Sequence, residues 1–568
     1  MNLETLKMQL VSLNVINNED TVRSITFSRG LNIITNTGPD GNQVGKSTVL
    51  RVIKFCLGSS GEGLWKDPDS GTTNEKVKEF LVSGNVKFEL TLEKENKQIH
   101  IERFLSQTNG RIYRFGKING VSCNSATKFK SKIAEIFSHN VEQPTLNTIF
   151  NRFFRLDKPT VNNPYRFNNT YTSNDMYGLI YSYLLGFSGH EYLKKDFDYK
   201  LECKLQEDRK RSLLNGEDLI FYHDRLAAID DRILTLQKKE ESYELQGVHE
   251  DVLKKLRNVR EIISTLSMKI ANLELQINYN QKTVDEYLSK SYEYNHEVIS
   301  KIYTEASILI PNLEKTYEES VNFHNSILSR KVEYVKGRMS SLQEEVDNLK
   351  DVLNSNLYIE QNIFRSLTSQ SNLGSFLLVE KEIQNEKEER GKVSYIINEI
   401  KSIEGTLINI DEKRTLNAKI LTKHMDNFEA KLDSLNSSCK KISQATFKDF
   451  NLFFASNFDE YQKELKFSIV NSDKIFGDGS PRAASMCIDM SFAKYAKDNA
   501  LNLPYFTLQD YLESSDEDKL GSLFGTANQL SIQTVVSILS DKLNELNPSF
   551  ARDNTILTLC QEDKFFGI

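Results

Sequence analysis

Apolar positions along the chain follow two regimes. Near both ends they come in short, strand-like runs, and through the middle they recur with a helical period. Leu10-Val11-Ser12-Leu13-Asn14-Val15 and Ser24-Ile25-Thr26-Phe27 have β-type composition. Ser28-Arg29-Gly30 then turns the chain into the apolar run Leu31-Asn32-Ile33-Ile34. Residues 86–92 alternate with period two, as a half-buried strand does, and residues 99–104 supply an antiparallel neighbour. Residues 125–158 read as helical. From about 190 to about 445 glycine and proline almost vanish. There Val252, Leu256, Val259, Ile263, Leu266, Ile270, Leu273 and Ile277 recur at alternating spacings of four and three. Leu328, Val332, Val335, Met339, Leu342, Val346, Leu349 and Leu353 repeat the pattern, as do Val393, Ile396, Ile400, Ile403, Leu407 and Ile410. Sustained heptads with charged flanks predict a coiled coil rather than the helices of a compact bundle.

An inserted coiled coil must return to where it left. Ile310-Pro311-Asn312 lies near its midpoint, and proline breaks a helix interior, so the apex is expected at 305–320. Each arm would hold about 120 residues, on the order of 180 Å at about 1.5 Å per residue. Ser371-Asn372-Leu373-Gly374 is a second interruption, a joint or an alternative apex. After 445 the pattern turns globular. Phe447, Phe450, Phe453, Phe454 and Phe458 read as core, residues 465–470 as a strand and 483–494 as a helix. Residues 532–539 and 555–559 read as further strands. The expected organisation is 1–189, 190–445 and 446–568.

Chemistry enters at Gly41-Asn42-Gln43-Val44-Gly45-Lys46-Ser47-Thr48. This stretch follows the apolar run at 31–34 and precedes a helix-like segment closed by Gly58, the context a P-loop requires. Glycines let backbone N–H groups converge on phosphate oxygens, and the helix N-terminus adds unpaired donors. Lys46 is expected to neutralise the β- and γ-phosphates of ATP and Ser47 to ligate Mg²⁺. Asp40 stands where the usual pattern has its first glycine. The competing explanation is an ordinary glycine-rich turn before a helix. Leu503-Pro504-Tyr505-Phe506-Thr507-Leu508-Gln509-Asp510 is an apolar run ending in a carboxylate, as expected of a buried parallel strand delivering a Mg²⁺ ligand.

Composition narrows the partners. With 72 Lys+Arg against 79 Asp+Glu the net charge is −7, so nucleic-acid contact must come from a local patch. Lys128, Lys130, Lys132, Arg152 and Arg155 are the candidate face for double-stranded DNA, although a plain solvated helix face is the commoner explanation of such charges. Six scattered cysteines without a CxxC pair argue against a disulfide framework or a thiolate zinc site. The first residues carry no signal peptide, and no run of eighteen apolar residues occurs. The expectation is therefore a cytoplasmic chain with no membrane contact.

A P-loop half, a long antiparallel coiled coil and a second half with a glycine-rich loop and an apolar-strand carboxylate resemble the SMC-like branch of ABC ATPases, to whose wider group RecN and RecF belong. Phe27-Ser28-Arg29-Gly30-Leu31-Asn32, the segment 323–330, the stretch 533–541 and Asp563-Lys564-Phe565-Phe566-Gly567 resemble a bacterial subfamily with an uncharacterised C-terminal domain. That subfamily includes the SMC-like subunits of Lamassu and related three-component ABC defence systems. The resemblance implies an α/β fold: a split P-loop ABC-type ATPase head with a long inserted antiparallel α-helical coiled coil. It implies that residues 41–48 hold ATP, that Asp510 is the Walker B aspartate, and that Gly477-Asp478-Gly479-Ser480 is the signature-like loop facing a nucleotide on a second head. The glutamate that normally follows the aspartate is replaced by Tyr511, with Glu513 as the substitute, and the switch-strand histidine by Ser540. The implied partners are a second SMC-like head as a homodimer, a nuclease-like effector, a small accessory subunit and double-stranded DNA. Slow ATP hydrolysis is expected, in anti-phage or anti-plasmid defence. The alternatives are a DNA-repair or chromosome-organising ATPase and a nucleotide-gated scaffold without turnover.

Overall fold

The computed structural model describes residues 8–37, 44–66, 71–108, 111–123, 125–169, 172–242, 250–292, 313–367, 373–447, 451–459, 464–471, 480–543 and 546–568. In chain order the first part holds β1 (Met8–Asn17), β2 (Asp20–Thr26), β3 (Leu31–Asn36), α1 (Lys46–Cys56), α2 (Glu75–Val82), β4 (Ser83–Lys94), β5 (Lys97–Thr108), β6 (Arg111–Ile118) and β7 (Val121–Cys123). It continues with α3 (Ala126–Ile136), α4 (Leu146–Phe150), β8 (Phe154–Arg155), α5 (Lys158–Val161) and α6 (Asn174–Leu184). Long helices follow: α7 (His190–Leu214), α8 (Leu219–Glu241), α9 (Glu250–Tyr292), α10 (Leu313–Leu367) and α11 (Leu373–Thr446). The last part holds β9 (Leu452–Asp459), β10 (Glu464–Asn471), α12 (Ser480–Asp498), β11 (Phe506–Gln509), α13 (Glu517–Gln529), β12 (Gln533–Ser537), α14 (Pro548–Asn554) and β13 (Thr555–Leu559).

Among the described residues the head holds two large sheets and the two-stranded antiparallel pair β9–β10. One large sheet is antiparallel, ordered β2-β1-β4-β5-β6-β7, and its β4–β5 register sets Leu90 against Ile101 and Leu92 against Ile99, the pairing the alternation predicts. The other is parallel, ordered β13-β3-β12-β11-β8. Every residue of β3, β11 and β12 is buried. Central parallel strands are covered on both faces and so read as continuous rather than alternating apolar runs. Strands from the first and last parts of the chain interleave in this sheet, so neither part builds it alone.

The chain divides into two compact units, Met1–Phe197 with Lys301–Glu318 and Thr415–Ile568, and Asp198–Ser300 with Glu319–Arg414. The head unit thus keeps the last stretch of α11, whose Leu421, Phe428, Leu435, Cys439 and Ile442 belong to its core. The helical insertion therefore gives way to the head earlier than the expected boundary at 445.

In the helical unit, Arg209 meets Glu399 at 2.5 Å, Arg225 meets Glu389 at 3.1 Å and Arg232 meets Glu386 at 3.3 Å, so α7 and α8 run antiparallel to α11. Arg260–Glu360 at 2.8 Å and Lys350–Glu274 at 2.7 Å set α9 antiparallel to α10. Tyr279 of α9 packs on the cluster of Tyr222, Ile229, Val393 and Ile400, and Arg260 also meets Glu380 at 2.7 Å. The insertion is therefore antiparallel as expected, but four helices lie side by side. These pairings require the chain to reverse three times, between α8 and α9, between α9 and α10, and between α10 and α11, the last beside the interruption at Leu373-Gly374. The expected apex at 305–320 falls on residues 305–312, outside the described ones, and on the start of α10. A heptad seam fixes that a helix is covered along one stripe, and it does not say by which partner. Among the described residues no helix is long and apolar enough to cross a membrane.

Candidate functional site

Strand β3 ends at Asn36, and the chain next re-enters description at Val44, one residue before Gly45 caps α1. Gly41, Asn42 and Gln43 lie outside the described residues. Gly45 adopts φ 98°, a left-handed conformation that glycine takes without steric cost. Among the described residues no side chain caps this helix, and the Thr48 amide donates to the Gly45 carbonyl at 3.1 Å. Lys46, Ser47 and Thr48 occupy its first turn.

Opposite stands Asp510, the first residue after β11. The Ser47 hydroxyl donates to Asp510 Oδ1 at 2.9 Å, and Ser537 Oγ, at the end of β12, lies 3.4 Å from Ser47 Oγ. Asp510 is 3% exposed, and its Oδ2 is buried with no hydrogen-bond partner among the described residues. A buried carboxylate oxygen without a donor is unfavourable unless something else satisfies it.

Lys46 is buried, and burial holds its ammonium below the usual lysine range, partly offset by the charges of Glu513, Asp510 and Asp541. Three carboxylates thus act on one lysine. Glu513 sits on a short 3-10 turn after Tyr511, whose φ of 57° bends the chain out of the strand line. Burial raises the Glu513 carboxyl, Asp510 raises it further, and Lys46 and Arg482 pull it back. Ser540 donates its amide to Asn36 Oδ1, and Asn36 Nδ2 donates to Ser540 Oγ, both at 3.2 Å, tying the turn after β12 to the end of β3.

Behind the site lies a buried ionic network. Arg482, from the first turn of α12, donates to Gln509 Oε1 and to the Asp510 carbonyl, each at 2.8 Å. Burial lowers its guanidinium to about 10. Gln509 Nε2 donates to Asp489 Oδ2 at 3.2 Å. Arg152 and Arg155 both bind Asp489, with Arg155 Nε 2.9 Å from Oδ2.

This corrects the expected basic face. Arg152 and Arg155 are wholly buried and paired inside the head, and have no surface to offer DNA. The reading failed because residues 125–158 are not one helix: they break into α3, α4 and β8, and the two arginines turn inward. Lys128 and Lys130 stand exposed on α3, while Lys132 pairs with Glu135 at 2.6 Å. Gly477, Asp478 and Gly479 lie outside the described residues, and Ser480 opens α12. Ser537, Asp541 and Arg482 were missed. Position at a strand end was the available signal for the first two, and nothing in the pattern singles out Arg482.

A model described as an AAA domain matches residues 13–278, and one described as an uncharacterised protein conserved in bacteria (DUF2326) matches residues 411–568. The Lamassu protein LmuB of Bacillus cereus (strain VD014) is 22% identical over 545 residues, spanning 89% of this chain and 85% of the relative. Among solved structures, the Smc head domain with a coiled coil and joint from Pyrococcus yayanosii aligns over 98% of this chain and 96% of that one, at 15% identity and a TM-score of 0.38. The Smc head domain with an extended coiled coil, bound to the C-terminal domain of ScpA, from Pyrococcus furiosus aligns over 94% and 91%, at 11% identity and a TM-score of 0.33. With its split head and its antiparallel helical insertion, the chain resembles an AAA domain over residues 13–278 and, along most of its length, the Lamassu protein LmuB.

Proposed function

We propose that the chain binds ATP with Mg²⁺ between α1 and β11 and hydrolyses it slowly, as the SMC-like subunit of a cytoplasmic anti-phage or anti-plasmid defence complex. The observation that carries this reading is the Ser47–Asp510 contact beside the orphaned Asp510 Oδ2. A hydroxyl and a buried carboxylate oxygen lacking a donor are the hard oxygen ligands that Mg²⁺ prefers, so the residues present fit the ion. When bound, the ion would neutralise charge on the phosphate oxygens. The chain's own residues do the rest. Lys46 meets the β- and γ-phosphates, and the leading amides of α1 bind phosphate oxygens. Glu513 takes the proton of the attacking water, and its raised carboxyl suits a base working near neutral pH. Tyr511 supplies no base next to Asp510, and on that ground turnover is slow. Asp478, between Gly477 and Gly479, with Ser480, would face the nucleotide of a second copy, so ATP acts chiefly by closing two heads.

In this reading closed heads grip double-stranded DNA through phosphate contacts at Lys128, Lys130 and Lys132, and a nuclease-like effector and a small accessory subunit are controlled by that state. The test is ATP turnover with and without linear double-stranded DNA, for the wild type and Lys46→Ala. DNA-stimulated turnover lost in the variant supports the proposal. Binding without turnover in either condition favours the second reading, a nucleotide-gated scaffold, for which Tyr511 is the specific argument.

A further inference from the structure

The stretch Asp563–Gly567 lies outside both Walker-type motifs, yet it touches Val44 and Gly45 at the start of α1. The Phe565 amide donates to the Val44 carbonyl at 3.0 Å. Its side chain fills the space over Gly45: a Cβ built at Gly45 would stand 2.7 Å from Phe565 Cβ. Phe565 is 1% exposed. Phe566 packs against Phe80 of α2 and Phe88 of β4, with ring centroids 6.0 and 6.2 Å apart. Upstream, Arg23 of β2 grips the segment with both nitrogens of its fork. Nη1 donates to Asp563 Oδ2 at 3.0 Å, and Nη2 to Asp563 Oδ1 at 2.5 Å and to the Lys564 carbonyl at 2.8 Å. Gly567 closes a turn onto the Lys564 carbonyl at 2.9 Å.

Each contact has a distinct consequence. The Val44 carbonyl is occupied by the Phe565 amide, which fixes the peptide plane that leads into Gly45. The left-handed Gly45 is backed by Phe565 Cβ on the side where any side chain would stand, and the buried Phe565 ring anchors that Cβ. The bidentate arginine fixes the register of the segment, because a planar fork on a carboxylate tolerates little displacement.

We propose that Asp563–Phe565 is a latch that pre-forms the lower half of the phosphate loop, with Arg23, Asp563 and Phe565 as positioning residues for nucleotide binding. The inference rests on the ATP-site reading above. With the latch closed, binding ATP does not have to order Val44–Lys46. With it open, only the fraction of molecules that hold the loop spontaneously is competent, and apparent affinity falls by that fraction.

The experiment measures Kd for a fluorescent ATP analogue with Mg²⁺, KM and kcat for ATP, and the urea midpoint without nucleotide. The full chain is compared as wild type, Lys46→Ala, Phe565→Ala, Phe565→Leu, Asp563→Asn and the exchanged pair Arg23→Asp with Asp563→Arg. Asp563 is 59% exposed, so Asp563→Asn leaves packing intact. The expected result is a Kd and KM raised at least about tenfold in Phe565→Ala and roughly threefold in Asp563→Asn, with kcat at saturating ATP within about twofold of wild type. Partial recovery is expected in Phe565→Leu and in the exchanged pair. A latch that only stabilises the fold would lower the urea midpoint and leave Kd unmoved, and that result overturns the proposal. If the wild type fails to bind, or Lys46→Ala binds as tightly, the ATP reading and the latch fall together. If Lys46→Ala loses binding while Asp563→Asn and Phe565→Ala keep the wild-type Kd, the latch alone falls.

Discussion

Ser47 and Asp510, 463 positions apart in the chain, meet at 2.9 Å through Oγ and Oδ1, and the other oxygen of that carboxylate is buried with nothing to accept from among the described residues. Asp510→Asn keeps the shape and removes the charge. ATP turnover is expected to fall by about 100-fold or more, and the Mg²⁺ dependence of nucleotide binding to flatten, while circular dichroism stays unchanged. A magnesium titration of analogue binding by wild type and variant measures both.

Glu513 has two expected signatures. Glu513→Gln lowers turnover by on the order of 10²–10³-fold with nucleotide binding retained, and removes the acidic limb of the pH–rate profile. In the wild type that limb lies above the ordinary glutamate range, because burial raises the carboxyl. The same shift acts on stability. The folded state holds the proton more tightly than the unfolded chain, so the group's contribution is complete below the unfolded value and is lost as pH climbs through the folded one. Glu513→Gln is therefore expected to unfold at a higher temperature than the wild type at pH 8, with little difference at pH 4.5.

Asp489 carries the buried network. Asp489→Ala leaves Arg152 and Arg155 in the core without their shared carboxylate, at an expected cost of about 3–5 kcal/mol. Urea unfolding of the full chain measures it. Lys128→Ala on the exposed face of α3 is the control, with a change within about 0.5 kcal/mol.

In the helical insertion, burial and a hydrogen bond donated to the Glu380 carboxylate push the Glu240 carboxyl up to about 7, with Arg257 and Arg260 pulling the other way. A raised carboxyl favours folding below the unfolded value, and the contribution is lost as pH rises through about 7. The insertion is expected to melt at a higher temperature at pH 6 than at pH 8. Glu240→Gln should remove most of that difference, as followed by helical ellipticity.

What could be read from the chain depended on how tightly chemistry restricts sequence. That Ser47 and Asp510 lie at neighbouring strand ends could be expected, because a phosphate loop and a strand-end carboxylate each impose a residue type at a fixed place beside a buried strand, and the two do meet. The β4–β5 hairpin was legible from alternation alone. Arg152 and Arg155 misled because charge spacing carries no sign of burial, and only Asp489, more than 300 positions away, explains them. The four-helix packing of the insertion was hidden for a related reason: the seam through Leu256, Ile263 and Ile270 satisfies any apolar neighbour. Phe565 stood out in the sequence only within the Asp563–Gly567 stretch of the resemblance, and its contacts with Val44 and Gly45, made by its backbone amide and its Cβ, could not be read from residue type.

The interleaved parallel sheet has a consequence for biosynthesis. Strand β3 pairs with β12 and β13, and Ser47 waits 463 positions for Asp510. At about 5–20 residues per second, a ribosome needs roughly 25–90 s to cover that interval. Throughout it the apolar strand β3 has no partner, and the long helices are made before the sheet can close. A nascent chain arrested anywhere in the insertion is thus a chaperone client rather than a half-working enzyme. Two separately expressed pieces, cut within the insertion, should regain the nucleotide site only when they are produced together.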